Sequence, residues 1–255
     1  MSELIRSETH GKVLLIQITH EKTLNCLNSD ILTEMAALLR DFARNPSLRA
    51  LVLTGSGRSF CTGADLKAFT ELDAEGCVDY CMDYEEDIFH ILSSSRKPTI
   101  AAVNGYALGG GMELALACDF RIGTEKCQFS APEYGLGWVP GWGGVSRLGT
   151  LVGPAKAKEI LLLKKKIRGP EALRIGLLNE LVEGELLPRA LELAEELAGL
   201  NPLTVSYTKA ILNDFDVSPY DSLLQGLTNG VTSKSPYAKA RVEEFFNRKN
   251  DSRQN

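Results

Sequence analysis

Two acids beside glycine-rich turns carry most of the chemical potential of this sequence. Glu113 follows three consecutive glycines in "GYALGGGMELALACDF" (105–120), and Glu133 lies in "SAPEYGLGWVPGWGGVSRL" (130–148). Glycine in a helix interior costs about 1 kcal/mol relative to alanine, so three at a helix start point to something approaching the backbone closely. First-turn amides of a helix have no intrahelical acceptor, and the macrodipole adds partial positive charge, which together make a seat for a negative oxygen. Taken alone, the stretch also reads as a tight strand-to-helix turn with Glu113 complementing the dipole. A second loop, "SFCTGADL" (59–66), leaves another strand, carries a glycine and can aim a further amide at the same point. Two amides on one oxygen form an oxyanion hole, worth roughly 3 kcal/mol per donor when charge develops only in the transition state. Two carboxyls facing one substrate at different protonation levels supply an acid and a base; either glutamate alone is more often a solvated surface acid. The dinucleotide pattern GxGxxG is not met, because "GGGMEL" lacks its third glycine.

These loops need a scaffold, and the apolar pattern outlines one. "KVLLIQIT" (12–19), "RALVLTG" (49–55), "KPTIAAVNG" (97–105) and "DFRIGT" (119–124) read as strands. "NSDILTEMAALLRDFARNPS" (28–47) places Ile31, Met35, Leu38, Leu39 and Phe42 at helical spacing behind a polar cap, and 71–95 is a second helical stretch with Val78, Cys81, Ile88 and Leu92 on one side. From about 154 helical patterns dominate. Pro170 suits the first turn of a helix, "NELVE" a last short strand, and Asn201 with Pro202 a helix start. Alternating strands and helices predict an α/β core with a helical tail.

The chain has 255 residues, 44% hydrophobic, enough to bury a large core without external staples. No segment approaches the roughly 18 apolar residues of a membrane span, and the start lacks the h-region of a secretory signal, so a cytoplasmic protein is expected. The cysteines, Cys26, Cys61, Cys77, Cys81, Cys118 and Cys127, lack the paired spacing of a zinc site and are expected to be reduced thiols, with no metal bound. A net charge of −5 gives no global attraction for nucleic acid or anionic membrane. With His10, His20 and His90 the only histidines and no GxSxG elbow, a serine triad finds little support.

"SFCTGADLKAF", "KPTIAAVNGYALGGGMELALACDFRI", "FSAPEYGLGWVPGWGGVSRL" and "GPEALRIGLLNELV" follow the order and spacing of the enoyl-CoA hydratase/isomerase, or crotonase, superfamily, and the resemblance extends from "LNCLNSDILTEM" to "EEFFNRKN". It implies a spiral of repeated ββα units with two roughly perpendicular sheets (1–195) and a helical C-terminal region (196–255) that trimerises, two trimers commonly making a hexamer. By the same resemblance, the backbone N–H groups of Thr62 and Gly110 form the oxyanion hole for the thioester oxygen. Glu113 becomes the base that deprotonates water attacking C3, and Glu133 the acid that protonates C2. The CoA part of the substrate, which is no separate cofactor, is implied to lie near Thr23, Leu24 and Cys26 and near Ala64, Asp65 and Leu66, with Phe245 and Arg248 as further contacts. Asp65 serves a turn equally well. The family's upstream glycine is replaced around Arg241.

The resemblance leads to an enoyl-CoA hydratase. An isomerase or a specialised hydroxyacyl-CoA dehydratase shares most of the motifs, and a non-catalytic acyl-CoA- or RNA-binding relative is the alternative of another class. Family isomerases typically keep only the later glutamate, so the pair favours hydration, while the acidic balance disfavours RNA. Trp142 stands where relatives have a small residue, and Trp138 lies just before it. Two indoles beside the acid read either as ordinary core packing or as walls that restrict the acyl group to a short, branched or cyclic one.

Overall fold

In "VLLIQI" and "ALVLTG" almost every residue is apolar, which suits strands covered on both faces. A computed structural model, describing residues 4–213, 226–227, 229–230, 233–234 and 236–251, makes them adjacent interior strands of a six-stranded sheet. Its strands are β1 (Ile5–His10), β2 (Val13–Ile18), β3 (Ala50–Gly55), β5 (Thr99–Val103), β7 (Phe120–Gly123) and β10 (Glu180–Leu181), in the order β1-β2-β3-β5-β7-β10. All pairs are parallel except β1 with β2. Alternate residues of one strand serve different cores. Leu51 and Leu53 pack with Ile31, Met35, Leu39 and Phe42 of α1 (Ser29–Arg44), whereas Ala50 and Val52 meet α10 (Leu186–Gly199) through Ala190, Ala194 and Ala198. Asn28 caps α1 by accepting from the Ile31 amide at 2.9 Å.

A four-stranded second sheet, β4-β6-β8-β9, is built from β4 (Ser59–Cys61), β6 (Tyr106–Leu108), β8 (Gln128–Ser130) and β9 (Ile167–Arg168). Each central strand of the first sheet, β3, β5 and β7, is followed by one of the second, β4, β6 and β8, before the chain enters a helix. Repetition of that ββα turn gives the expected spiral. It also delivers three successive strand-to-helix junctions to one region, because β4, β6 and β8 are neighbours.

After β4 come α2 (Leu66–Glu71) and the predicted 71–95 helix, which is interrupted. It consists of α3 (Ala74–Tyr84), a π turn over Glu85–His90 and α4 (Ile91–Ser94). The wider turn changes the phase of the side chains, and Glu85 ends up buried.

The junction after β6 opens α5 (Gly110–Ala117), whose residues are all buried; that after β8 opens α6 (Glu133–Leu136) and then α7 (Gly144–Val152). Pro170 sits in the first turn of α9 (Gly169–Arg174), which follows α8 (Pro154–Leu162). "NELVE" supplies β10 alongside β7, and Asn201 accepts from the Leu203 amide at 2.9 Å before α11 (Pro202–Asn213). Helix α10 runs through position 195, where the sequence reading divides the chain. The final helix, Pro236–Asp251, packs on α6, where Arg241 Nε donates to the Gly135 carbonyl at 3.1 Å. All six cysteines are free thiols; five are buried and Cys26 is half-buried. Among the described residues no helix is long and apolar enough to cross a membrane.

Candidate active site

The three glycines before Glu113 answer to three different neighbours. Gly109 has φ +53°, a conformation L side chains rarely adopt, and a Cβ there would lie 2.2 Å from Glu133 Oε1. A Cβ on Gly110 would lie 2.4 Å from Trp142 Cζ3, and one on Gly111 would lie 2.0 Å from the Cys61 carbonyl oxygen. The run therefore lets a carboxyl, an indole and β4 close around the start of α5. Gly110 is the first residue of that helix, so its N–H has no acceptor one turn back.

The neighbouring loop supplies the facing amide. Leu27 donates to the Gly63 carbonyl (2.8 Å) and Asp65 donates to the Leu27 carbonyl (3.1 Å). Between these bonds the Ala64 N–H points to the other side of the segment, and its nitrogen lies 3.4 Å from where a Cβ on Gly110 would be. Thr62, whose amide the resemblance implies as a donor, lines the same loop and donates its hydroxyl to the carbonyls of Thr23 (3.3 Å) and Leu24 (3.2 Å). Asp65 caps α2 by accepting from the Lys67 amide at 3.0 Å, the turn role open to it in sequence.

Glu113 Oε1 accepts from the amides of Trp142 (2.8 Å) and Gly144 (2.9 Å). Burial raises its pKa to about 7, with those two bonds acting in the opposite sense. Glu133 is raised to about 8, first by burial and then by the nearby Glu113, and its Oε2 is buried without a hydrogen-bond partner. The last turn is held in place from behind. Arg147, buried on α7, donates through Nη1 to the Trp142 carbonyl (2.6 Å) and through Nη2 to Glu85 Oε1 (2.7 Å).

One cavity of about 670 Å³ collects the residues singled out in sequence. Glu113, Glu133, Gly110 and Thr62 line it, as do Thr23, Leu24 and Cys26, Ala64, Asp65 and Leu66, the indoles of Trp138 and Trp142, and Phe245 with Arg248 from the final helix. Arg248 is ion-paired with Glu244. Lys22, Lys67 and Arg241 also reach the wall, adding cationic groups that sequence reasoning did not assign to the site, and His20 lies beside them. The indoles belong to an aromatic cluster: Trp142 stacks on Phe89 (4.9 Å between centroids, 19° between planes), and Trp138 lies 5.0 Å from Phe69.

Glu85 and Arg147 were also missed. A charge between apolar neighbours, as Arg147 stands in "GGVSRLGTL", is a weak signal for that residue, and the acidic "DYEEDIFH" gives none for Glu85.

The chain that places this buried carboxyl pair on one cavity has relatives among known proteins. The chain is 41% identical over 209 residues to a short-chain-enoyl-CoA hydratase of Clostridium acetobutylicum, covering 81% of this chain and 79% of that protein. It is 40% identical over 214 residues to a crotonyl-CoA hydratase of Syntrophomonas wolfei, covering 83% and 82%. A solved enoyl-CoA hydratase/isomerase from Mycobacterium paratuberculosis superposes with a TM-score of 0.85 at 25% identity, covering 96% of this chain and 99% of that one. The family model described as enoyl-CoA hydratase/isomerase matches residues 8–227, and the chain belongs to that family.

Proposed function

We propose that this enzyme adds water across the 2,3 double bond of an enoyl-CoA thioester to give the 3-hydroxyacyl-CoA. The observation that carries the reading is the pair of buried acids on one cavity, Glu113 raised to about 7 and Glu133 to about 8. That order fits one ionised base and one protonated acid near neutral pH.

The thioester oxygen receives hydrogen bonds from the Gly110 and Ala64 amides, Ala64 replacing Thr62 as the second donor. Glu113 takes a proton from water as its oxygen bonds to C3. The π electrons of C2=C3 move toward the thioester, whose oxygen becomes an enolate held by the two amides. As the enolate collapses, C2 takes the proton of Glu133. The cycle leaves Glu113 protonated and Glu133 ionised, and proton exchange with solvent restores both. The basic groups lining the cavity suit the phosphates of CoA. The aromatic cluster behind Trp142 favours a short acyl group, as do the names of the two relatives.

We also propose a homo-oligomer, a trimer or hexamer, for which the exposed apolar residues Leu203, Tyr207 and Leu212 of α11 are the support. A cytoplasmic location remains part of this reading.

Glu113→Gln and Glu133→Gln test the chemistry. Each is expected to lower kcat for crotonyl-CoA on the order of a hundredfold or more while leaving CoA affinity near that of the wild type. Full turnover in either variant would overturn the assignment, and faster turnover of dodecenoyl-CoA than of crotonyl-CoA would overturn the short-chain preference.

A further inference from the structure

The segment 142–144 is gripped from two sides. In front, Glu113 Oε1 accepts from the amides of Trp142 and Gly144 at 2.8 and 2.9 Å. Behind, Arg147 Nη1 donates to the carbonyl of the same Trp142 at 2.6 Å. There is no slack: a Cβ on Gly143 would lie 2.3 Å from Arg147 Nη1, and one on Gly144 would lie 2.5 Å from Glu113 Cγ. The guanidinium is itself fixed, its Nη2 donating to Glu85 Oε1 at 2.7 Å and to Ser93 Oγ at 3.4 Å. Side-chain exposures of 8% for Arg147 and 5% for Glu85 put this ion pair inside the protein.

Buried ion pairs are poor stabilisers, since apolar replacements of similar volume are often as stable or more so. Stability alone is thus a weak reason for the pair, and its position suggests a better one. We propose that Arg147 and Glu85 are positioning residues for the hydration step: Arg147 anchors the Trp142 carbonyl and thereby sets the two amides that aim Glu113, and Glu85 holds the guanidinium in register. The π turn contributes by placing Glu85 inside the protein. This inference rests on Glu113 being the base of the proposed reaction.

The pair acts on Glu113 through charge as well as through geometry. The groups facing that carboxyl are Glu133 and Tyr134 from α6, Cys81 from α3, Glu85 from the π turn and Arg147 from α7. Of the ion pair, Arg147 favours the carboxylate and Glu85 opposes it. Removing one partner or the other is therefore expected to shift the ionisation of Glu113 in opposite directions, and the carbonyl anchor adds a fall in kcat at nearly unchanged KM that charge alone does not produce.

The experiment is the pH dependence of kcat/KM with crotonyl-CoA for wild type, Arg147→Met, Arg147→Lys, Glu85→Gln and the double variant Glu85→Gln/Arg147→Met. In Arg147→Met the acid limb is expected to move to higher pH, with kcat lower by roughly 10- to 100-fold and KM within about twofold. In Glu85→Gln the acid limb moves to lower pH. Arg147→Lys recovers part of the lost kcat; the double variant returns the limb toward wild type without recovering kcat, because the carbonyl anchor is still missing. Limbs that coincide with wild type, or that shift the same way in both single variants, overturn the proposal. Should Arg147→Met fail to fold, the near-isosteric Glu85→Gln and the double variant, which leaves no lone buried charge, decide it by the same criteria. Glu113→Gln run alongside separates the two layers. Full turnover there overturns the underlying assignment, whereas an inactive Glu113→Gln with unshifted limbs elsewhere overturns only the positioning role.

Discussion

In the proposed reaction Glu113 has to be ionised and Glu133 protonated in the same molecule, which would confine hydration to a narrow pH interval. With Glu113 raised to about 7 and Glu133 to about 8, kcat/KM should rise as the first loses its proton and fall as the second does, a bell that a crotonyl-CoA pH series would trace. The same displacement affects stability. A free glutamate titrates at about 4.5, so from there to about 8 the folded protein holds a proton at Glu133 that the unfolded chain has released. The stabilising contribution is complete below that window, declines as pH rises through it and is gone above it. Glu133→Gln removes the ionisation, so at pH 9 it should melt a few degrees above wild type while the difference narrows toward pH 5. Thermal denaturation at the two pH values checks the sign. An equal or lower melting temperature at pH 9 would contradict it.

At the scale of elements, α5 is positioned by contact rather than by propensity. The Cys61 carbonyl leaves no room for a Cβ at Gly111, so Gly111→Ala must push the helix and β4 apart. A loss of about 3 kcal/mol or more, with activity falling in step, is the expected result in denaturant titration. What the sequence disclosed and what it withheld divide along similar lines. The central strands were legible because burial on both faces leaves continuous apolar runs such as "ALVLTG". The strands of the second sheet, three residues or fewer, are too short to establish an alternation, and β1 hides behind the polar pattern of "IRSETH". The π turn was invisible because a 3.6-residue period fits the residues on either side of it. Within the site, the acids and glycines could be read from linked motifs. Ala64 could not be singled out beside Thr62 in one short loop, because the Leu27 bridge that turns the Ala64 N–H away from Leu27 is a long-range contact. Glu85 and Arg147 stayed hidden because by type alone each reads as a solvated charge.

On the scale of the whole molecule, the C-terminal helices behave differently from the core. Leu203, Tyr207 and Leu212 of α11 are 65%, 66% and 59% exposed, an apolar stretch that a solitary chain would leave in water. If copies of the chain cover it, sedimentation velocity should give a trimer or larger for wild type and a smaller species for Leu203→Glu/Tyr207→Glu. A monomeric wild type would rule the assembly out. The final helix reaches the cavity of its own chain, where Arg241 ties it to α6 and Phe245 joins the wall.

The distribution of thiols has a practical consequence. Burial raises Cys118 and Cys127 to about 12 and pushes Cys61 and Cys81 higher still, so these side chains offer almost no thiolate to an alkylating reagent at neutral pH. Cys26 alone is half-buried, and it borders the cavity. A maleimide dye should therefore attach once per native chain, at Cys26, and free CoA should slow its attachment, giving an optical reporter of occupancy without any engineered residue.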